Sequence, residues 1–126
     1  MKNLINYSVL KEKYNQQVSA ELQMKPTTLT GNDDVFVIDG PISVILTSTD
    51  QQIEKITIIS TILQTDLYDQ VFMAFEAALN CSSINFFNAY QRAIKNHSLE
   101  IGQAHGIQAI HDARNGKLIV SLQKEA

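Results

Sequence analysis

The passage from Ile53 to Leu79 limits most what this chain can become. Its first part, Ile53 to Leu63, is an Ile/Thr-rich run, and β-branched side chains suit the pleated surface of a strand. Ile56, Ile58 and Ile62 fall on one face and Ile53, Ile59 and Leu63 on the other, which predicts a central strand covered on both sides for part of its length. The second part repeats apolar residues at three- and four-residue steps through Leu67, Val71, Phe75 and Ala78/Leu79, and predicts a helix with one stripe on the sheet. Asp66 stands where an N-cap is needed, and Asn80 where the helix stops. Such a pair forms the core of a small α+β domain.

The other elements follow from the same periodicities. Apolar residues from Ile5 to Leu22 predict an N-terminal helix over 3–22, followed by a polar loop over 27–34 with Gly31-Asn32 as its turn. Val35 to Ile38 and Ile42 to Thr47 read as strands around Asp39-Gly40, so the strand beginning at Ile53 completes an antiparallel meander. Ser82 or Ser83 caps a second helix over 83–97, which carries Ile84, Phe87, Ala89, Tyr90, Ala93 and Ile94. Residues 98–106 are ambiguous, with a short strand at Leu99 to Ile101 as one reading.

Residues 107–113 and 117–122 then flank Asn115-Gly116, the pair that type I′ hairpin turns prefer. That turn sets His111 opposite Val120 and Ala109 opposite Leu122 on a core face, leaving Ile110 and Ile119 outward. The predicted order is α-β-β-β-α-α-β-β. It describes a single domain over residues 1–126, with a three-stranded meander and a C-terminal hairpin in one antiparallel sheet and helices packed on one face.

Composition narrows the function. A hydrophobic share of 44% over 126 residues suits one core that folds without metal or disulfide support. The net charge is −3 and Lys and Arg are nowhere clustered, which argues against nucleic acid and for a basic protein as partner. Cys81 stands alone, so no intrachain disulfide is expected. No leader-like segment opens the chain and no apolar run approaches the ~20 residues of a membrane span, so no membrane partner is expected and a cytoplasmic location is.

Residues that carry chemistry are few. His111 reads as a histidine at the core rim bonding a backbone carbonyl; the alternative is a base in a pocket between sheet and helices, with Asp112 beside it. His97 suits a helix C-terminus and His105 a solvated loop. No HxxxH, HExxH or CxxC spacing and no glycine-rich phosphate loop occurs, so neither metal nor cofactor is expected. Cys81, near a helix start, reads as a buried structural thiol and not as a nucleophile, so no catalytic residue is assigned.

Apolar surplus is the more informative signal. Ile110 and Ile119 on the hairpin, with Phe72 and Met73 off the main stripe of their helix, exceed what a single-layer core requires; Tyr68 and Phe86 do so as well. Either a second layer such as the N-terminal helix covers them, or they form a partner surface or a homodimer interface. The loop carboxylates Asp33, Asp34, Asp39 and Asp50 are good turn formers that would also give such a surface an acidic border.

In element order, through the helix at 3–22, the meander at 35–63, the helix at 66–80 and the strand pair at 107–122, the chain resembles the small acidic chaperones of bacterial type III secretion. It departs from them in the helix at 83–97 and in having no helix after Leu122. It is equally similar to small acidic immunity proteins that neutralise a bacterial toxin. Both resemblances imply a non-enzymatic protein that works by covering another protein, and neither transfers functional residues.

Overall fold

In the computed structural model, which describes residues 3–25, 28–31, 33–63 and 65–125 (backbone only for 37–39), the chain folds as an α+β domain around one antiparallel sheet. The elements are β1 (Ile5–Asn6), α1 (Tyr7–Asn15), a 3-10 turn (Ala20–Leu22), β2 (Asp33–Asp39), β3 (Ile42–Thr49) and β4 (Gln52–Ser60). Then follow α2 (Asp66–Leu79), α3 (Ile84–Asn96), β5 (Leu99–Ala104), β6 (Ile107–Asp112) and β7 (Leu118–Lys124). The sheet runs β2-β3-β4-β7-β6-β5, with β1 paired to β4. Two meanders, each running from an edge to the middle, meet where β4 pairs β7. The C-terminal part is therefore a three-stranded meander instead of a hairpin, because 99–104 is a full strand paired along β6.

One face of the sheet is sealed. Val44, Leu46, Ile56, Ile58, Val120 and Leu122 are fully buried there, in one cluster with side chains from all three helices. Among the described side chains, alternate residues along the strands point the other way and are only half-buried or exposed. Ile59 is among these, so β4 is covered on one side only. The expected split of its isoleucines also changes. Thr47 faces Lys55 while Ser48 faces Ile53, so Glu54 is an extra residue. That bulge turns Ile53 to the same buried face as Ile56 and Ile58.

The N-terminal helix is shorter than its apolar spacing suggests, and its side chains explain why. Asn15 Oδ1 accepts from Met24 N at 2.8 Å and Asn15 Nδ2 donates to Met24 O at 3.0 Å, while the Tyr14 hydroxyl donates to Leu22 O at 3.0 Å. These bonds fold residues 16–24 back on α1, so half-buried Val18 packs from a loop and buried Leu22 from the 3-10 turn. α1 itself lies against α2, with Tyr14 stacked on Phe75 at 4.5 Å, and not over Ile110 and Ile119.

The turns differ from expectation in an instructive way. At the C-terminal hairpin the register holds, with His111 facing Val120 and Ala109 facing Leu122. Only Gly116 (φ +79) has positive φ there, so the loop is not type I′, and Asp112 Oδ1 accepts from Arg114 N across it. Two-residue loops with both φ positive occur instead at Asp50-Gln51 and at His105-Gly106, which close β3–β4 and β5–β6. The expected Gly31-Asn32 turn lies partly outside the described residues.

Candidate functional site

α2 is capped by Thr65, whose hydroxyl accepts from Leu67 N at 3.3 Å; Asp66, expected in that role, is the first helical residue. The helix ends at Asn80 in the left-handed region, as expected. Its buried face is wider than the expected stripe: Tyr68, Val71, Phe72, Ala74, Phe75 and Ala78 are inside, while Met73 is 65% exposed. Ser83 caps α3, its hydroxyl accepting from Asn85 N at 3.1 Å. Phe86, Ala89, Tyr90 and Ala93 then form the buried stripe at steps of three, one and three, which leaves Ile84 (66% exposed) and Phe87 (54%) outside. The small residues Ala89, Ala93 and Gly102 let α3 sit close to the sheet; a Cβ on Gly102 would meet Asn85 O at 2.8 Å.

Between α2 and α3 this arrangement opens a groove of about 420 Å³. Its floor is aromatic: Tyr68 stacks on Tyr90 (5.2 Å) and on Phe72 (5.7 Å), and Phe86 meets Phe72 edge-on (6.3 Å). Met73, Ile84 and Phe87 stand along its walls. Asp69 and Glu76, both on α2, supply its charge. Burial raises both carboxyls above the usual range; the Tyr90 hydroxyl facing Asp69 and the Ser83 N–H at 3.4 Å from Glu76 offset part of that.

His111 lies under this floor, on β6. It is fully buried, its ring 5.7 Å from Phe72 and 6.2 Å from Tyr90. Among the described residues no backbone carbonyl receives its proton, and neither ring nitrogen has a hydrogen-bond partner. Burial, with a smaller push from the Arg92 charge, lowers its pKa to about 4, so the imidazole is neutral at pH 7. Cys81 is buried too, its thiol pushed up to about 12 by burial and then by Glu76, and it is not bonded to His111. Among the described residues no three His, Cys, Asp or Glu side chains converge on a metal position, and no helix is long and apolar enough to cross a membrane.

The residues expected to share one partner surface are dispersed. Ile110 and Ile119 lie half-buried on the helix-free face of the sheet, whereas Met73 is on the helix side. Phe72 is not a surface residue; it is 7% exposed, held inside by Tyr68, Phe86 and His111. Tyr68 and Phe86 are buried as well, so much of the apparent surplus is core. Asp33 accepts from the Thr47 hydroxyl and Asp34 from Thr30 on edge strand β2, and Asp50 is exposed in the β3–β4 turn, none of them at the groove. The side chain of Asp39 lies outside the described residues. Sequence reasoning missed the carboxylates Asp69 and Glu76 and the exposed pair Ile84 and Phe87. Counting helical positions from the Ser83 cap, with Ala89 and Ala93 as close-approach residues, would have found the last two.

Compared with protein families, with curated proteins and with solved structures, the chain shows no match.

Proposed function

We propose that the protein is a non-enzymatic binder that holds a segment of another protein in the α2/α3 groove, apolar side chains inserted against Met73, Ile84 and Phe87 and a basic side chain against Asp69 and Glu76. The observation that carries this reading is the pairing of an exposed apolar wall with two carboxylates held in an environment unfavourable to their charge. A Lys or Arg brought there relieves the carboxylates while the apolar anchors leave water. An immunity-type inhibitor or a secretion chaperone would act in this manner. An enzyme built on His111 is supported less, because the imidazole is sealed from the groove beneath Phe72 and Tyr90.

A displayed random-peptide library, selected on the parent protein and counter-selected on Phe87→Ser, tests the reading. The expected consensus has two apolar anchors and a flanking Lys or Arg. Selected peptides should lose roughly 2 kcal/mol of affinity on Phe87→Ser, as central anchors typically do. Glu76→Gln should mainly slow their association at low salt. Peptides that bind parent and variant alike, or an acidic consensus, would overturn it.

A further inference from the structure

The face of the sheet that no helix covers is not a random surface. Its side chains form three rungs that cross the strands. The middle rung reads, from β2 to β5, Val35, Ile45, Thr57, Ser121, Ile110, Ile101. Read from either end it is apolar, apolar, small hydroxyl. The rung beside it, from β3 to β5, is Ser43, Ile59, Ile119, Asp112, Leu99, again alike on either side of the β4–β7 seam. The third is polar throughout, with Thr47 and Lys55 answered by Gln108 and Gln123. Val35, Leu99 and Ile101 are exposed at 63%, 38% and 48%.

We propose that this face packs against the same face of a second copy of the chain, about a two-fold axis lying in the interface along the β4–β7 seam. That axis places β4 over β7, β3 over β6 and β2 over β5 of the second copy. Ile59 then meets Ile119, Ile45 meets Ile110 and Val35 meets Ile101, while Thr57 meets Ser121 and the Ser43 hydroxyl points at the Asp112 carboxylate. Each of these apolar positions finds an apolar one and each of these polar positions a polar one, as a self-complementary two-fold contact requires. Facing sheets cross at about 30°, which displaces the corners but leaves the central pairs in place. Charge does not oppose the contact: Asp112 is already held by Arg114 at 2.9 Å, Asp33 accepts from Thr47, and Lys55 falls opposite Gln123.

The dimensions suffice. Six strands about 4.8 Å apart and three rungs about 6.8 Å apart give a face of roughly 590 Å². Two copies therefore bury about 1,180 Å², above the ~1,000 Å² that marks a specific interface. The groove stays open on the opposite side of the molecule, so self-association and capture of another protein are independent.

Sedimentation velocity over roughly a hundredfold range of concentration is expected to show a monomer–dimer equilibrium. Ile45→Lys and Ile119→Lys, with the fold checked by circular dichroism, are each expected to leave monomer, and Phe87→Ser to leave the dimer intact. Spin labels on the polar rung read the axis in an otherwise native chain, since buried Cys81 takes no label. A label at Gln123→Cys lies beside the seam, about 11 Å from its mate, and one at Gln103→Cys lies at the edge, about 26 Å away, for sheets about 10 Å apart. A monomer at every concentration overturns the proposal. So does a dimer that survives both lysine variants or is broken by Phe87→Ser, and so does a Gln123 separation equal to or longer than that at Gln103.

Discussion

His111→Leu tests the interior beneath the groove. The wild-type imidazole has its pKa lowered from 6.5 to about 4, with both nitrogens unpartnered. Between those two values the unfolded chain binds a proton that the folded one refuses. Stability from this group is therefore complete above pH 6.5 and is lost as the pH falls towards 4. A displacement of this size, at about 1.36 kcal/mol per pH unit, amounts to roughly 3 kcal/mol. Asp69 and Glu76, whose carboxyls are raised, act in the opposite sense as the pH falls, but they are common to both proteins and cancel in the comparison. Leucine is close to histidine in volume and has no polar atoms to strand. At neutral pH it removes a desolvation cost of about 1–3 kcal/mol and forfeits ring contacts worth about 1 kcal/mol, for a net gain near 1 kcal/mol. Urea unfolding followed by circular dichroism and tyrosine fluorescence from pH 8 to pH 4 measures both quantities. The variant should start slightly more stable and pull away by roughly 3 kcal/mol at the acid end. Parallel stability curves would refute the reasoning and show that the imidazole has a proton partner in the folded state.

Three further outcomes are expected. Gly102→Ala drives a methyl against the Asn85 carbonyl at 2.8 Å, so thermal unfolding should show a loss of about 1–3 kcal/mol as α3 is pushed off β5. Gln51 holds φ +65 without being glycine, and Gln51→Gly should raise the urea midpoint by the equivalent of about 1 kcal/mol. Cys81 should react with a thiol reagent only as fast as the protein unfolds, because its thiol is buried and pushed up to about 12; rapid native-state modification would contradict that.

How much of this was legible in the sequence depends on what set each feature. The β6–β7 register was readable because Ala109, His111, Leu118, Val120 and Leu122 alternate on a buried face, where a one-residue slip would expose them all. Asn80 and Ser83 marked helix ends through bonds to adjacent backbone, which are local chemistry. Features set by distant partners were not legible. α1 stops at Asn15 because that side chain bonds Met24, and Val18 and Leu22 mimic its spacing from the loop and 3-10 turn that follow. The Glu54 bulge is visible only against β3. Asp50-Gln51 takes the tight-turn conformation that the pair Asn115-Gly116 suits by composition, because strand pairing leaves it two residues and leaves the later loop more. The groove depended on which faces α2 and α3 turned to each other, and Phe72 and Phe87 exchange roles once that rotation is known.

The single ladder between β4 and β7 has a kinetic consequence. Within each meander the strands are neighbours in sequence and zip through short loops, so both can form early and separately. The seam closes only after everything from α2 to β6 has been brought round, a large loop whose closure entropy is lost before Ile58–Val120 and Ile56–Leu122 reward it. The last and slowest step of folding should therefore be the docking of two preformed halves. Until it happens the unpaired flanks of β4 and β7 remain open to pairing with the wrong chain.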